Sequence, residues 1–549
     1  MKHCALAVVG LFTLVTALAA QTPRILLKEG DPLIGGQSVQ RFDYVTVGDS
    51  GAWVARVETF DFDFNRDVLV LRSGFPVLRE GMVLPQPANA ILDDFGSLDV
   101  ASNGDLAMHL LLREGPIQRD GLYWNLVPVA LEGDSLDFAP FSPGTTLEQV
   151  TVVRLTEDRG LLALVRVRDP QISARPVDAL IRFRLDAQGN VIDRTTLGAR
   201  NMFSAVLGSP IDTLGTSTVP EHSLELNRSG DFVLPVAGIG RRGILKNMDT
   251  LIAEEHAPAP VAGRTWNANA FALSRVAIND RGEVAFTGSM TPIGGDPGEP
   301  TNYLIVKDGQ KLAQSGDVLP ALSPHPLAKG TPRIELSNRG NLFWRAQPVT
   351  ASAGGAAYML DQTPLIQEAV TVVEGQLVVT VLGGDDCFAV SPEGRYFVGR
   401  VILQGGTDAV VFLDFGLIRE LEGCLGLNQG TLRHVSGAAR VGQPFRVAMD
   451  DGPAPGAVPF LLLSSRSNLS AAGCGQFTVQ GELMLAQPLR NVLVLPPWDG
   501  VNPSELDLAV PNSMALVNAT FTLQGLFGIP GRTRTLRLTN ALELQIGPP

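Results

Sequence analysis

Apolar and polar residues alternate in short runs along most of this chain, and the runs come in pairs joined by a polar turn that ends in glycine. The clearest copy is Val276-Ala-Ile-Asn-Asp-Arg-Gly-Glu-Val-Ala-Phe-Thr-Gly-Ser-Met290, turning at Gly282. The layout recurs at Val45 to Val57 around Gly51, Leu98 to Leu112 around Gly104, Val152 to Val167 around Gly160, Leu224 to Ala237 around Gly230, Ile334 to Gln347 around Gly340 and Phe388 to Val401 around Gly394. Alternation over strand-length runs, with frequent β-branched and aromatic residues, predicts hairpins rather than helices. In Asn279-Asp280-Arg281-Gly282 the first side chain can hydrogen-bond the local backbone, and the glycine is free to take positive φ.

The differences between successive turn glycines are 53, 56, 70, 52, 58 and 54 residues. A period of about 50 residues is the length of a four-stranded propeller blade. Each period also carries a second hairpin, clearest at Asn302 to Ala313, turning at Asp308-Gly309, and at Asp178 to Ile192, turning at Gly189-Asn190. Weaker ones fall at Asp120 to Glu132, Arg242 to Ala253, Ala357 to Gln367 and Asp408 to Leu421. The expected fold is therefore all-β: a seven-bladed β-propeller with four-stranded blades over 21–422, each blade covering its faces with its neighbours. Pro23 to Leu33 resembles the last strand of a later unit, so it is expected to pair into the final blade and remove two open sheet edges. The competing reading is an extra edge strand, since Leu417 to Leu421 offers the last unit a fourth strand of its own. The insertion around Ala199 to Glu221, rich in Gly, Ser, Thr and Pro, is expected to be a surface loop.

Beyond about Gly423 the period stops. Residues 423–549 form short strands between Gly and Pro turns, the pattern of a β-sandwich. At 549 residues the chain is too long for one compact core, which suits a repeat domain plus a second domain. Lys2, the apolar run Ala5 to Leu18 and the small residues near Ala19 read as a secretory signal peptide over 1–20. That apolar run is shorter than the roughly 20 residues a bilayer requires, and no later run is longer, so no membrane span is expected. The protein is expected to be secreted, periplasmic or at the cell surface, as a monomer. Its net charge of −13, one unit more negative once Lys2 leaves, argues against nucleic acid and anionic lipid as partners.

The series Cys424-Leu-Gly426, Gly442-Gln-Pro-Phe445, Leu461-Leu-Leu-Ser-Ser465, Gly473-Cys474, Phe521-Thr-Leu-Gln524 and Leu538-Thr-Asn-Ala-Leu-Glu-Leu544 resembles a C-terminal β domain common on large secreted proteins of planctomycete-type bacteria. The resemblance implies export and a β-sandwich and implies no reaction. Where that family has a Gly-Thr-Gly stretch after the first cysteine, this chain has Leu427-Asn428-Gln429. Three cysteines remain after the leader, and an oxidising compartment pairs two of them. Cys424 with Cys474 matches the resemblance and leaves Cys387 free and buried. Cys387 with Cys424 is the alternative.

Candidate chemistry is sparse. Asp61, Asp63, Asn65 and Asp67 have the spacing of oxygen ligands in a calcium loop, but Arg66 replaces the needed glycine and Arg72 the bidentate glutamate. They read better as a strand with Phe60, Phe62 and Phe64 on one face, leaving no metal expected. Gly238-Ile-Gly-Arg-Arg-Gly243 matches a dinucleotide glycine pattern in letters, but a strand follows it where a phosphate site needs a helix, so it reads as a turn and no cofactor is implied. No Gly-x-Ser-x-Gly or His-Glu-x-x-His motif occurs, and His109, His222, His256, His325 and His434 stand singly. The expected function is a binding or scaffold protein for a protein or glycan partner. The alternative is a polysaccharide hydrolase or lyase with carboxylates converging in the channel; uncharged channel walls would favour binding.

Overall fold

The computed structural model describes residues 23–546 apart from isolated positions and the stretches 61–65, 102–103, 217–221, 292–301, 350–354, 422–427, 466–474, 479–480, 487–490, 517–518 and 529–535. The signal peptide expected over 1–20 lies outside the described residues, as do Cys424 and Cys474 and hence both disulfide pairings that use them. Among the described residues the architecture is all-β, in antiparallel ladders, with no α-helix. Pro23–Leu413 forms one compact unit, and a second begins at Asp414.

The first unit repeats one plan. The sheet Val39–Val47, Trp53–Thr59, Val68–Arg72, Phe75–Arg79 is followed by Ile91–Val100, Leu106–Glu114, Ile117–Trp124, Val127–Leu131 and by Thr146–Leu155, Gly160–Arg168, Val177–Leu185, Val191–Ala199. The fifth and sixth repeats give Val276–Ile278, Val284–Met290, Asn302–Lys307, Gln310–Gln314 and Ile334–Leu336, Leu342–Ala346, Ala357–Leu360, Thr363–Gln367. In the fourth sheet the first strand is in two pieces, because Glu225–Leu226 and Ser209–Leu214 both pair with Phe232–Gly238. The segment expected to be a surface loop thus contributes a strand. Ile211 and Leu214 are its buried residues, and an irregularity of the ladder between Ile211 and Thr213 lets residues three apart both face the core.

The last sheet of this unit takes a strand from the start of the chain: Arg24–Lys28 pairs with Asp408–Asp414, with Ile25 opposite Val411. Leu417–Leu421, the other candidate for that edge, instead pairs with Leu536–Gln545 in the second unit. Each hydrophobic core is shared by two consecutive sheets. Tyr44, Val54 and Val70 pack with Leu92, Phe95 and Met108, and Val233 and Ile244 pack with Val276 and Phe286. The sixth and seventh sheets meet through aromatic contacts such as Phe343 with Phe397 at 6.2 Å. The seventh meets the first through Leu27, Val398 and Phe412 against Phe42, Val45 and Trp53, so the order of neighbours is circular. Burying each such side chain stabilises by about 1.5–3 kcal/mol.

The turn between the first two strands of a sheet is closed by a backbone bond from its fourth residue to its first, as in Gly282 to Asn279 at 2.9 Å and Gly394 to Ser391 at 2.7 Å. Six of the seven turn glycines named above have positive φ, with Gly282 at 76°. The third repeat departs from the pattern. There Arg159, at φ 64°, fills the left-handed position and Gly160 begins the strand, so the glycine of the sequence pattern stands one residue late.

In the second unit, Leu417–Leu421, Leu536–Gln545, Thr520–Gly528, Val458–Ser464 and Asn491–Val494 form one sheet in that order, and Thr431–Gly437, Pro444–Asp450 and Ser504–Ala509 form another. Phe445, Val447 and Met449 from the second share a core with Leu461, Leu523, Phe527 and Leu542 from the first.

Candidate functional site

The repeats hold two belts of polar residues. The first is the turns themselves. Asn227 donates through Nδ2 to the carbonyl of Asn279 at 2.9 Å, and Asn279 does the same to Ser337 at 3.0 Å. One residue further on, the Arg228 N–H donates to Asp280 Oδ1 at 2.9 Å and the Asp280 N–H to Asn338 Oδ1 at 2.8 Å. The Glu393 N–H donates to Asp49 Oδ1 at 2.8 Å, joining the last repeat to the first. The Arg228 guanidinium straps four turns together. It donates to Glu393 Oε1 at 2.8 Å, bonds Asp49, and lies 3.6 Å from Asp280 Oδ2. Burial raises the Asp49 pKa while Arg228 opposes the rise, so removing the arginine would leave a half-desolvated carboxylate without its counter-charge.

The second belt lies on the first strands. Counting back two residues from the first residue of the turn reaches Asp99, Arg154, Glu225 and Glu335 in the second, third, fourth and sixth repeats, and all four line one cavity of about 140 Å³. Arg154 grips Glu225 of the next sheet with both arms, at 2.8 Å and 3.3 Å. Burial pushes Glu225 up to about 7, helped by Glu335 and Asp99 and resisted by Arg154. Asp99 accepts the Leu155 N–H at 2.7 Å, and burial raises its pKa as well. Arg333 binds Glu335 at 2.7 Å and stacks over Phe388 at 5.2 Å. Burial works against the charge on Arg333, but Glu335 and Asp386 hold its pKa above the usual value.

In the same cavity His222 Nε2 stands 3.6 Å from Asp386 Oδ1, and Asp386 Oδ1 stands 4.0 Å from Arg333 Nη1. Both distances exceed a hydrogen bond. Neither His222 Nε2 nor Asp386 Oδ1 has a hydrogen-bond partner among the described residues, although His222 is only 5% exposed. Burial lowers the His222 pKa and favours neutral imidazole. For Asp386 burial is outweighed by His222 and Arg333, which hold the carboxylate below its ordinary value.

The structure brings together residues that the sequence presents singly. His222 acquires Asp386 as a neighbour, and His109 is buried and bonded to Asp120. His434 lies at the surface, bonded to the carbonyl of Gly437 at 2.8 Å. Cys387 is buried as a free thiol that donates to the Gly384 carbonyl at 3.0 Å, and burial raises its pKa. Of the calcium candidates, Asp61, Asp63 and Asn65 lie outside the described residues. Asp67 sits beside Glu80, whose carboxyl is pushed up to about 8 by burial and by Asp67. Among the described residues no group of three His, Cys, Asp or Glu is placed to hold a metal ion, and no helix is long and apolar enough to cross a membrane. Gly238 ends one strand and Arg241 begins the next, with Gly240 at φ 73°, so that glycine pattern is a hairpin turn.

No family model and no curated protein matches the chain. Among solved structures it is similar to an α-L-arabinanase of Penicillium chrysogenum complexed with arabinobiose, at 10% identity and a TM-score of 0.27, over 72% of this chain and 98% of that one. It is also similar to a subtype N11 neuraminidase-like protein of A/flat-faced bat/Peru/033/2010 (H18N11), at 9% identity and a TM-score of 0.27, over 62% and 95%. Likenesses of this size carry no argument about chemistry, and the site stands on its own geometry.

Proposed function

We propose that this chain is an exported binding protein: a seven-bladed β-propeller whose central channel takes a ligand, followed by a β-sandwich that serves attachment or export. The circular order of shared cores and the pairing of Arg24–Lys28 with Asp408–Asp414 support the propeller reading. The two facing sheets after Asp414 support the sandwich. The leader Met1 to Ala20 supports export, and in that compartment Cys424 would pair with Cys474.

The observation that carries the binding reading is the pairing inside the channel. Its walls are charged, but both oxygens of Glu225 are held by Arg154, Glu335 is held by Arg333, and Asp99 is held by backbone N–H groups. Such a surface is preorganised for recognition, and these three carboxylates are engaged before any substrate arrives. One observation favours the hydrolase alternative: Glu225 is raised to about 7 while Asp386 is lowered, the separation an acid and a base require. Incubating the intact protein with glycan arrays and with surface extracts tests both readings. Retention of a defined ligand without turnover is expected. Failure to retain any ligand overturns the binding reading, and cleavage of a bound glycan that is lost in Glu225→Gln establishes the alternative.

A further inference from the structure

We infer that the His222–Asp386 pair is the recognition point of the channel and that it takes a single hydroxyl of a neutral, polyhydroxylated ligand. The inference rests on the binding reading above and adds a ligand class and two contact residues to it. Two hydrogen bonds of about 2.8 Å can meet on one oxygen between polar atoms 3.6 Å apart. The neighbouring carboxylate favours the tautomer with the proton on Nε2. A hydroxyl oxygen then accepts from His222 and gives its own proton to Asp386, using both atoms that lack partners. A buried polar atom left without a partner costs about 1–3 kcal/mol, so the pair discriminates against any ligand that fills this position without offering both bonds.

The surroundings select the class. The cavity carries five carboxylates, Asp99, Glu225, Asp280, Glu335 and Asp386, against the guanidiniums of Arg154, Arg333 and Arg228, with Asp280 and Arg228 taken up by the turns. With His222 neutral, an anionic ligand meets net repulsion. A cation would have to sit next to Arg333, 4.0 Å from the same Asp386 oxygen, and no third ligand residue completes a set among the described residues. The cavity has room for about five waters, more than the pair itself needs.

The test passes the intact chain, Asp386→Asn, His222→Gln and the double variant over an array of neutral and acidic oligosaccharides. The expected result is retention of neutral glycans, weakened about tenfold or more by each single substitution. The double variant should be little weaker than either single, because one hydroxyl joins both residues. Retention unchanged by the substitutions, preference for acidic glycans, or stoichiometric Zn²⁺ uptake that both substitutions abolish overturns this inference and leaves the binding reading standing. Retention of no ligand by the unsubstituted chain overturns both. Should a variant fail to fold, the His222 ring nitrogen resonance of the unsubstituted chain decides the matter: it shifts on addition of a retained neutral glycan, or the inference falls.

Discussion

The two polar belts of the repeat unit are built from adjacent residues of the same repeats, yet they differ in how completely they are bonded. In the turn belt, side chains bond backbone groups of the neighbouring repeat, from Asn227 to Asn279 to Ser337, and Asp49 accepts the Glu393 N–H across the closure. In the channel belt the ion pairs are made, but His222 and Asp386 face each other just beyond bonding distance. The difference separates a lock from a receptor. Bonds between successive turns hold neighbouring sheets in register, whereas polar atoms held apart in a cavity are useful only to something that enters it.

Substitutions in the two belts should therefore have different consequences. The largest loss of stability is expected for Arg228→Met, which strands Asp49 and Glu393 and should cost about 3 kcal/mol in urea unfolding. A loss below about 1 kcal/mol would show that the strap is a surface ion pair of ordinary weight.

In the channel, Glu225 has its folded pKa at about 7, above the ordinary value for glutamate. The fold therefore binds this proton more tightly than the unfolded chain does. Its contribution to stability is complete below the unfolded pKa and is lost as pH rises through about 7, on the order of 3 kcal/mol. Glu225→Gln should flatten the stability profile between pH 4.5 and 8, and an unchanged slope would remove Glu225 from the account.

Smaller effects distinguish the turns themselves. Gly282→Ala forces a β-carbon into φ 76° and should cost about 1–2 kcal/mol. Arg159→Gly relieves the same strain in the third repeat and should gain up to about 1 kcal/mol. Thermal melts of the two variants should move in opposite directions.

Much of the fold was legible because positive φ and strand alternation leave marks on sequence. Gly282 and its counterparts exposed the repeat, and Pro23 to Leu33 exposed the strand that pairs into the seventh sheet. Where two solutions share one pattern, the sequence could not choose. Leu417–Leu421 follows the last repeat where its fourth strand would fall, and only the sheet partner at Leu536–Gln545 decides its place. Ser209–Leu214 reads as polar loop because its two buried residues are outnumbered. The channel belt also leaves a mark on the sequence: Asp99, Arg154, Glu225 and Glu335 interrupt apolar runs at one fixed offset before the turn. The approach of His222 to Asp386 had none, since the two residues come from different repeats far apart in the chain.

The most direct test of the lock and receptor distinction is a paired measurement of urea unfolding and neutral-glycan retention on Asn279→Ala and Asp386→Asn. Asn279 bonds the next turn and does not line the cavity. The account predicts that Asn279→Ala loses about 1–2 kcal/mol of stability with retention unchanged, and that Asp386→Asn loses retention about tenfold while its stability moves by less than about 1 kcal/mol. If both variants lose stability and retention in parallel, the two belts are one structural network and the distinction is wrong.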